Sequence, residues 1–176
     1  MAYTYSKIAT YTVGSGGVAT VSFLNIPQNY TDLILKASIR SSISQTNDYG
    51  IIQFNGDTGS NYPWRQLAGN GNAGSSSSGT SNGALTLRYS GANATANTFG
   101  NDELYIPNYT GSTYKSISSD TVSESNGSAP SDAIASLWAG LWNNTAAITS
   151  ITLSPGAGGT FVQYSTFHLY GIKAEL

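Results

Sequence analysis

The sequence predicts an all-β protein, one domain over residues 1–176, and three observations carry that prediction. Short runs rich in Val, Ile, Thr, Tyr and Phe alternate between apolar and polar positions. Gly, Asn or Pro punctuates these runs at near-regular spacing. Long-chain helix formers are scarce, with charged residues at 9% against roughly 25% in an average domain. Uncharged polar and small residues take their place: 26 Ser, 19 Thr, 15 Asn and 20 Gly. About ten short strands separated by turn residues read as a sandwich or a barrel.

The elements follow along the chain. Residues 5–13, "YSKIATYTV", and 17–26, "GVATVSFLNI", are β-rich runs separated by "GSGG", a hairpin signal. In the second run Ala19, Val21 and Phe23 make an apolar face opposite Val18, Thr20, Ser22 and Leu24. A turn at Pro27, Gln28 and Asn29 precedes "TDLILKASIRS" (31–41), and "DYGIIQFNG" (48–56) and "PWRQLAG" (63–69) come next. Gly69 to Gly83, "GNGNAGSSSSGTSNG", carries no charge and no large side chain, so it is expected to be a flexible surface loop. Shortening such a loop changes only closure entropy, by about 1 kcal/mol. Further strands are expected at 83–90, 102–109, 115–123, 135–143, 148–154 and 161–173.

One segment is ambiguous. In "SDAIASLWAGLWNN" (131–144), Ile134, Leu137, Trp138, Leu141 and Trp142 fall at helical spacing behind a Ser131 or Asp132 cap. Read as a strand, Ile134, Trp138 and Trp142 share one face, and Ala135, Leu137, Ala139 and Leu141 share the other. The strand is favoured, because a lone helix needs a face on an all-β body and Gly140 weakens a helix interior by about 1 kcal/mol. Large apolar residues on both faces then imply that one face meets a partner.

Composition excludes several functions. A net charge of −2 with seven scattered basic residues provides no stripe for nucleic acid. Without Cys there are neither disulfides nor thiolate metal sites. No apolar stretch is long enough for a membrane span, and the N-terminus has no secretory h-region, so the chain is expected to stay soluble in the cytoplasm that makes it.

"FNGDTGSNY" (54–62) contains Asp57-Thr58-Gly59-Ser60, the letters around an aspartic-protease carboxylate. That chemistry needs two Asp side chains sharing a proton, and no second copy exists, since "SSDTVS" at Asp120 lacks the Gly. Asn55-Gly56 just before it is a turn signal, so Asp57 is expected to cap its own turn. His168 lies in a strand pattern without a nucleophile elbow, and Asp102 and Glu103 point to opposite faces of a strand. The oxygen-rich turns "TNDYG" and "NGDTGSN" lack EF-hand spacing. No catalytic residue, cofactor or metal ligand is assigned.

What remains is binding or structure. The order "FLNIPQNYTDLILKASIRS", "IIQFNGDTGSNYPWRQLAGNG", "TANTFGNDELYIPNY", "YKSISS" and "LWAGLWNNTAAITSITLSPGAGGTFVQYSTFHLYGIK" is similar to a family of tailed-bacteriophage virion proteins. The resemblance runs over nearly the whole chain, and "QFNGDTGSNY" is its most specific stretch. It implies a jelly-roll-like β-sandwich that serves as a virion structural module. It also places the DTGS letters in a turn and "LWAGLW" on a strand.

A capsid decoration (cement) protein is favoured, attached to the major capsid protein at the outer surface of the head and assembled as a homotrimer. A short chain without fibrous repeat or attached domain suits that role. The alternative is a receptor-binding module of a tail or head fibre that holds a host surface glycan on an aromatic platform. Trp64, Tyr114, Trp138 and Trp142 are the candidate interface residues, with Tyr62 a further aromatic for a glycan. Neither nucleic acid nor membrane is an expected partner.

Overall fold

The structure, a computed structural model, describes residues 3–156 and 158–174, which form twelve β-strands and no helix. In chain order the first six are β1 (Tyr3–Thr12), β2 (Val21–Phe23), β3 (Asp32–Ile39), β4 (Asn47–Phe54), β5 (Tyr62–Gly69) and β6 (Gly74–Ser81). The second six are β7 (Ala84–Ser90), β8 (Gly100–Ile106), β9 (Lys115–Glu124), β10 (Ala133–Trp142), β11 (Ile151–Pro155) and β12 (Thr166–Ala174). They build an eight-stranded sheet, β1-β12-β3-β8-β9-β10-β5-β6, and a four-stranded sheet, β2-β11-β4-β7. Every ladder within the sheets is antiparallel.

Setting aside the hairpins β5–β6 and β9–β10 leaves eight strands in the order 1-8-3-6 in one sheet and 2-7-4-5 in the other. That is the jelly-roll order of a single-domain β-sandwich. The two hairpins extend the larger sheet from β8 outward, with β7 of the smaller sheet lying over β9 and β10.

Period-two patterning makes these strands. In β9, Lys115, Ile117, Ser119, Thr121 and Ser123 are buried while the residues between them are exposed. β10 follows suit, with Ser136, Trp138, Gly140 and Trp142 buried and Ala135, Leu137 and Ala139 exposed. This segment is therefore a strand, and the helical spacing of its apolar residues is a by-product of two apolar faces. Between the sheets Leu33, Leu35 and Ile39 of β3 meet Ile52 and Phe54 of β4 and Ile151 and Leu153 of β11 in one core cluster. Trp142 packs on Phe54 with centroids 5.5 Å apart, and Phe161 joins Tyr89 (6.0 Å) to Phe167 (5.0 Å).

Two expectations need correction. "GSGG" does not close a hairpin, because β1 pairs with β12 and β2 with β11, in different sheets. The glycines carry the chain across the sandwich, where Val18 bridges Phe161 and Gly17 (φ +70°) sits so close that a Cβ would come 2.7 Å from the Phe161 carbonyl. A tight Gly turn and a sheet-crossing Gly corner look alike in sequence.

The second correction concerns Gly69 to Gly83, which is no loose loop. Gly74–Ser81 forms β6, in register with β5 from Tyr62↔Ser81 to Gly69↔Gly74. Asn70 starts the turn, its Oδ1 accepting from the Asn72 and Ala73 amides at 3.1 and 2.9 Å, while Gly71 takes a positive φ of 80°. Trp64 then lies against Gly79, where a Cβ would come 2.9 Å from its ring. Backbone pairing with β5 and this ring contact order a segment whose own side chains bury little. Excising it would strip β5 of one of its two partners as well as shorten a connection.

Two substitutions on one strand separate the faces of β10. Trp142→Ala is expected to lower unfolding free energy by about 3–5 kcal/mol. Leu137→Ala on the outer face should stay within about 0.5 kcal/mol of wild type. Urea denaturation followed by fluorescence measures both, and equal losses would contradict this assignment of faces.

Candidate functional site

The outer face of the larger sheet, turned away from the sandwich core, holds a surface feature fit for a partner. Register places Thr10, His168, Lys36, Glu103, Asp120, Leu137, Leu67 and Ser76 in one row across β1, β12, β3, β8, β9, β10, β5 and β6. The first half of that row is polar. Thr10 Oγ1 lies 3.0 Å from His168 Nδ1, and Lys36 Nζ lies 2.6 Å from Glu103 Oε2, an exposed pair that contributes at most about 1 kcal/mol.

The second half is apolar and open. Leu137 and Leu67 face each other across β10 and β5, each 62% exposed, and Val122 is 47% exposed beside Ala135 in the next row. A shallow trough lined by Leu67, Ser76, Asp120, Val122, Ala135 and Leu137 runs over them. It continues toward Arg65 and Ser78 on one side and Glu103 and Tyr105 on the other. Carboxylates thus flank the trough at the β8–β9 side and a guanidinium at the β5 side. Among the described residues no three His, Cys, Asp or Glu side chains gather as a metal site. The chemistry on offer is apolar contact with a polar rim.

The residues singled out in the sequence stand elsewhere. Trp142 is fully buried, and its Nε1 donates to Asp57 Oδ2 at 2.8 Å. Trp138 is buried on the inner face and packs on the half-buried Trp64 at 5.4 Å. Trp138 and Trp142 therefore offer no open contact surface in this chain, and Tyr62 is fully buried as well. Tyr114 is 55% exposed, in the connection before β9 and off the trough. Sequence reading missed Leu67, Val122 and Leu137. The available signal was the apolar second face of "ASLWAGLW", which the larger tryptophans overshadowed.

Asp57 belongs to its turn. Its Oδ1 accepts from the Gly59 amide at 2.9 Å, Asn61 Nδ2 reaches both oxygens, and the Trp142 indole completes the set. These donors, the indole foremost, hold the carboxyl below the usual carboxylate range. Asp102 and Glu103 do point to opposite faces, Asp102 buried and Glu103 on the trough side.

A polar seam lies under the trough, between β7 and the strands β8 to β10. Asp102 Oδ1 accepts from the Arg88 amide at 2.9 Å, Ser119 Oγ donates to the Thr86 carbonyl at 2.5 Å, and Ser90 and Ser123 join hydroxyls at 3.1 Å. Asp102 Oδ2 has no hydrogen-bond partner, nor has Oγ1 of Thr121, its cross-strand neighbour. Burial pushes the Asp102 carboxyl well above the ordinary range. Burial also raises Asp48, whose Oδ2 takes a hydrogen bond from Ser41 at 2.8 Å.

No protein-family model, curated protein or solved structure matches this chain.

The seam implies a pH dependence. A carboxyl with a raised folded pKa is bound to its proton more tightly in the folded state. Its contribution to stability is complete below the unfolded value, about 3.9, and is lost as pH rises through the folded value. Stability should therefore fall toward alkaline pH, and Asp102→Asn should reduce that fall, because the amide still accepts from Arg88 and carries no charge. Denaturation midpoints from pH 5 to pH 9 read this out. An identical slope in the variant would rule Asp102 out as the cause.

Proposed function

We propose that this protein is a non-enzymatic virion structural protein of a tailed bacteriophage, a capsid decoration (cement) protein on the outside of the assembled head. The observation that carries this reading is the trough of Leu67, Leu137 and Val122 on the outer face of the extended sheet. Two hairpins added to a jelly roll give the core Tyr62, Ile117 and Trp142 on their inner face, and on their outer face a platform that is apolar where it is open. The resemblance to tailed-phage virion proteins over nearly the whole chain supports the same reading. In it the chain is made in the host cytoplasm, self-associates symmetrically, and lays the trough on the major capsid protein, with the carboxylates and Arg65 as polar rim.

The glycan-binding alternative rests on aromatic platforms. It loses Tyr62, Trp138 and Trp142 to the interior, which leaves the half-buried Trp64 and the detached Tyr114 of that set, with Tyr105 at the trough.

The test is add-back of purified protein to capsids stripped of it. Leu137→Lys and Leu67→Lys should fold normally and attach at least about 30-fold more weakly, the equivalent of a hot-spot loss near 2 kcal/mol. Quantitative gels of native particles should give hundreds of copies, as a shell covering requires. Normal attachment by both variants, or about a dozen copies per particle, would remove the decoration reading.

A further inference from the structure

The two sheets present four edges, and three of them are short, irregular or covered. β2 is only three residues long. β1 carries Lys7 and a register shift between Lys7 and Ala9, two devices that discourage a further strand. β7 is the least obvious case. Its backbone groups turned away from β4 are taken up from the larger sheet and the neighbouring loop, Arg88 N by Asp102, Thr86 O by Ser119 and Ser90 O by the Ser41 amide at 2.9 Å.

β6 has none of these protections. It runs for eight residues at the end of the larger sheet, pairs with β5 alone, and contains neither charge, proline nor register shift. No backbone hydrogen bond links its free side to another segment among the described residues. Its side chains are exposed along most of its length. Packing of Trp64 against Gly79 and the hydrogen bond from Ser77 Oγ to Gln66 Oε1 (3.0 Å) hold the strand against β5, so its free edge is presented in order.

We infer that β6 is a self-association edge, which pairs antiparallel with β6 of a second copy of this chain to join two eight-stranded sheets about a two-fold axis. Charge identifies the occupant. From Gln66 to Leu87 the chain has no charged residue, so two copies meet here without the like-charge repulsion that a segment of one charge sign would suffer against itself. Small Ser and Gly side chains on both strands let the backbones reach ladder distance without steric conflict. Antiparallel pairing of identical strands is self-complementary and therefore two-fold, which sets this contact apart from the three-fold assembly expected of a decoration protein. The inference rests on the backbone edge of β6 and not on the apolar side chains of the trough, so Leu137→Lys should keep the two-fold assembly, although Ser76 and Ser78 border both surfaces.

The experiment uses the full chain. Sedimentation equilibrium should give twice the 18.4 kDa chain mass for the wild type, at concentrations where Ser76→Lys/Ser78→Lys gives the single mass with unchanged circular dichroism. The chain has no Cys, so single cysteines report proximity cleanly. Under mild oxidation Ser77→Cys or Ser78→Cys should form a disulfide-linked dimer, whereas Lys7→Cys on the β1 edge should not. A monomeric or trimeric wild type overturns the inference, as does a double-lysine variant that keeps twice the chain mass. Failure of both β6 cysteines to cross-link overturns it too, even if the lysine variant misfolds.

Discussion

The fold depends on how one sheet edge is closed inside the molecule. β7 is the last strand of the smaller sheet, and it lies over β9 and β10 of the larger one, so its outward amides and carbonyls face protein and not water. An unpaired backbone group in such a place costs roughly 1–3 kcal/mol. The larger sheet answers with side chains: Asp102 takes the Arg88 amide and Ser119 donates to the Thr86 carbonyl. Only with that edge satisfied can four strands lie against eight and leave the rest of the larger sheet to run on past them. The same need explains Ser119 on the inner face of β9, where a simple core strand would carry Val or Ile. It also explains why a carboxyl sits where burial disfavours its charge.

The other side of the junction is held by aromatic rings. Trp142 closes β10 against Phe54, its indole fixes Asp57, and Asp57 in turn shapes the turn that leads into β5. The Tyr62 hydroxyl accepts from the Phe54 amide and donates to the Asp57 carbonyl, both at 3.1 Å, and burial pushes this phenol up to about 12. The letters of a protease signature thus serve as the joint between the jelly roll and its added hairpin. Seen from the joint, the extension β10-β5-β6 is anchored at one end and free at the other.

Much of this was legible in the residues, and the exceptions share a cause. Alternation along "KSISSDTVS" and "ASLWAGLWN" marks β9 and β10 because burial there differs between faces, and side-chain period reports burial. β6 has small polar residues on both faces, so no period exists to read, and its strand character comes from β5 and the Asn70–Gly71 turn. The crossing between β1 and β2 was hidden because a glycine records backbone freedom, not the direction the chain takes. The trough was half legible. An apolar second face on β10 announces contact, but only register brings Leu67 opposite Leu137, and register is a property of two strands together.

The low charge of the chain acquires a structural meaning from where the charges sit. Arg40 donates to the carbonyls of Ala92, Ala94, Thr95 and Thr98, and so pins the connection between β7 and β8. Lys115 is buried and donates to the carbonyls of Gly111 and Thr113 at 2.6 and 2.5 Å, which fixes the entry to β9. Lys36 is tied to Glu103 at the centre of the larger sheet. Cations that would ordinarily keep a surface solvated are thus employed as loop staples and one cross-strand pair. Apart from Arg65, the strands farthest from the core are left with Leu, Ala, Ser and Gly outside. A chain that solvated this face with Lys and Glu would gain solubility as a lone molecule and lose both the trough and the neutral edge, so the composition and the architecture of this face are one feature.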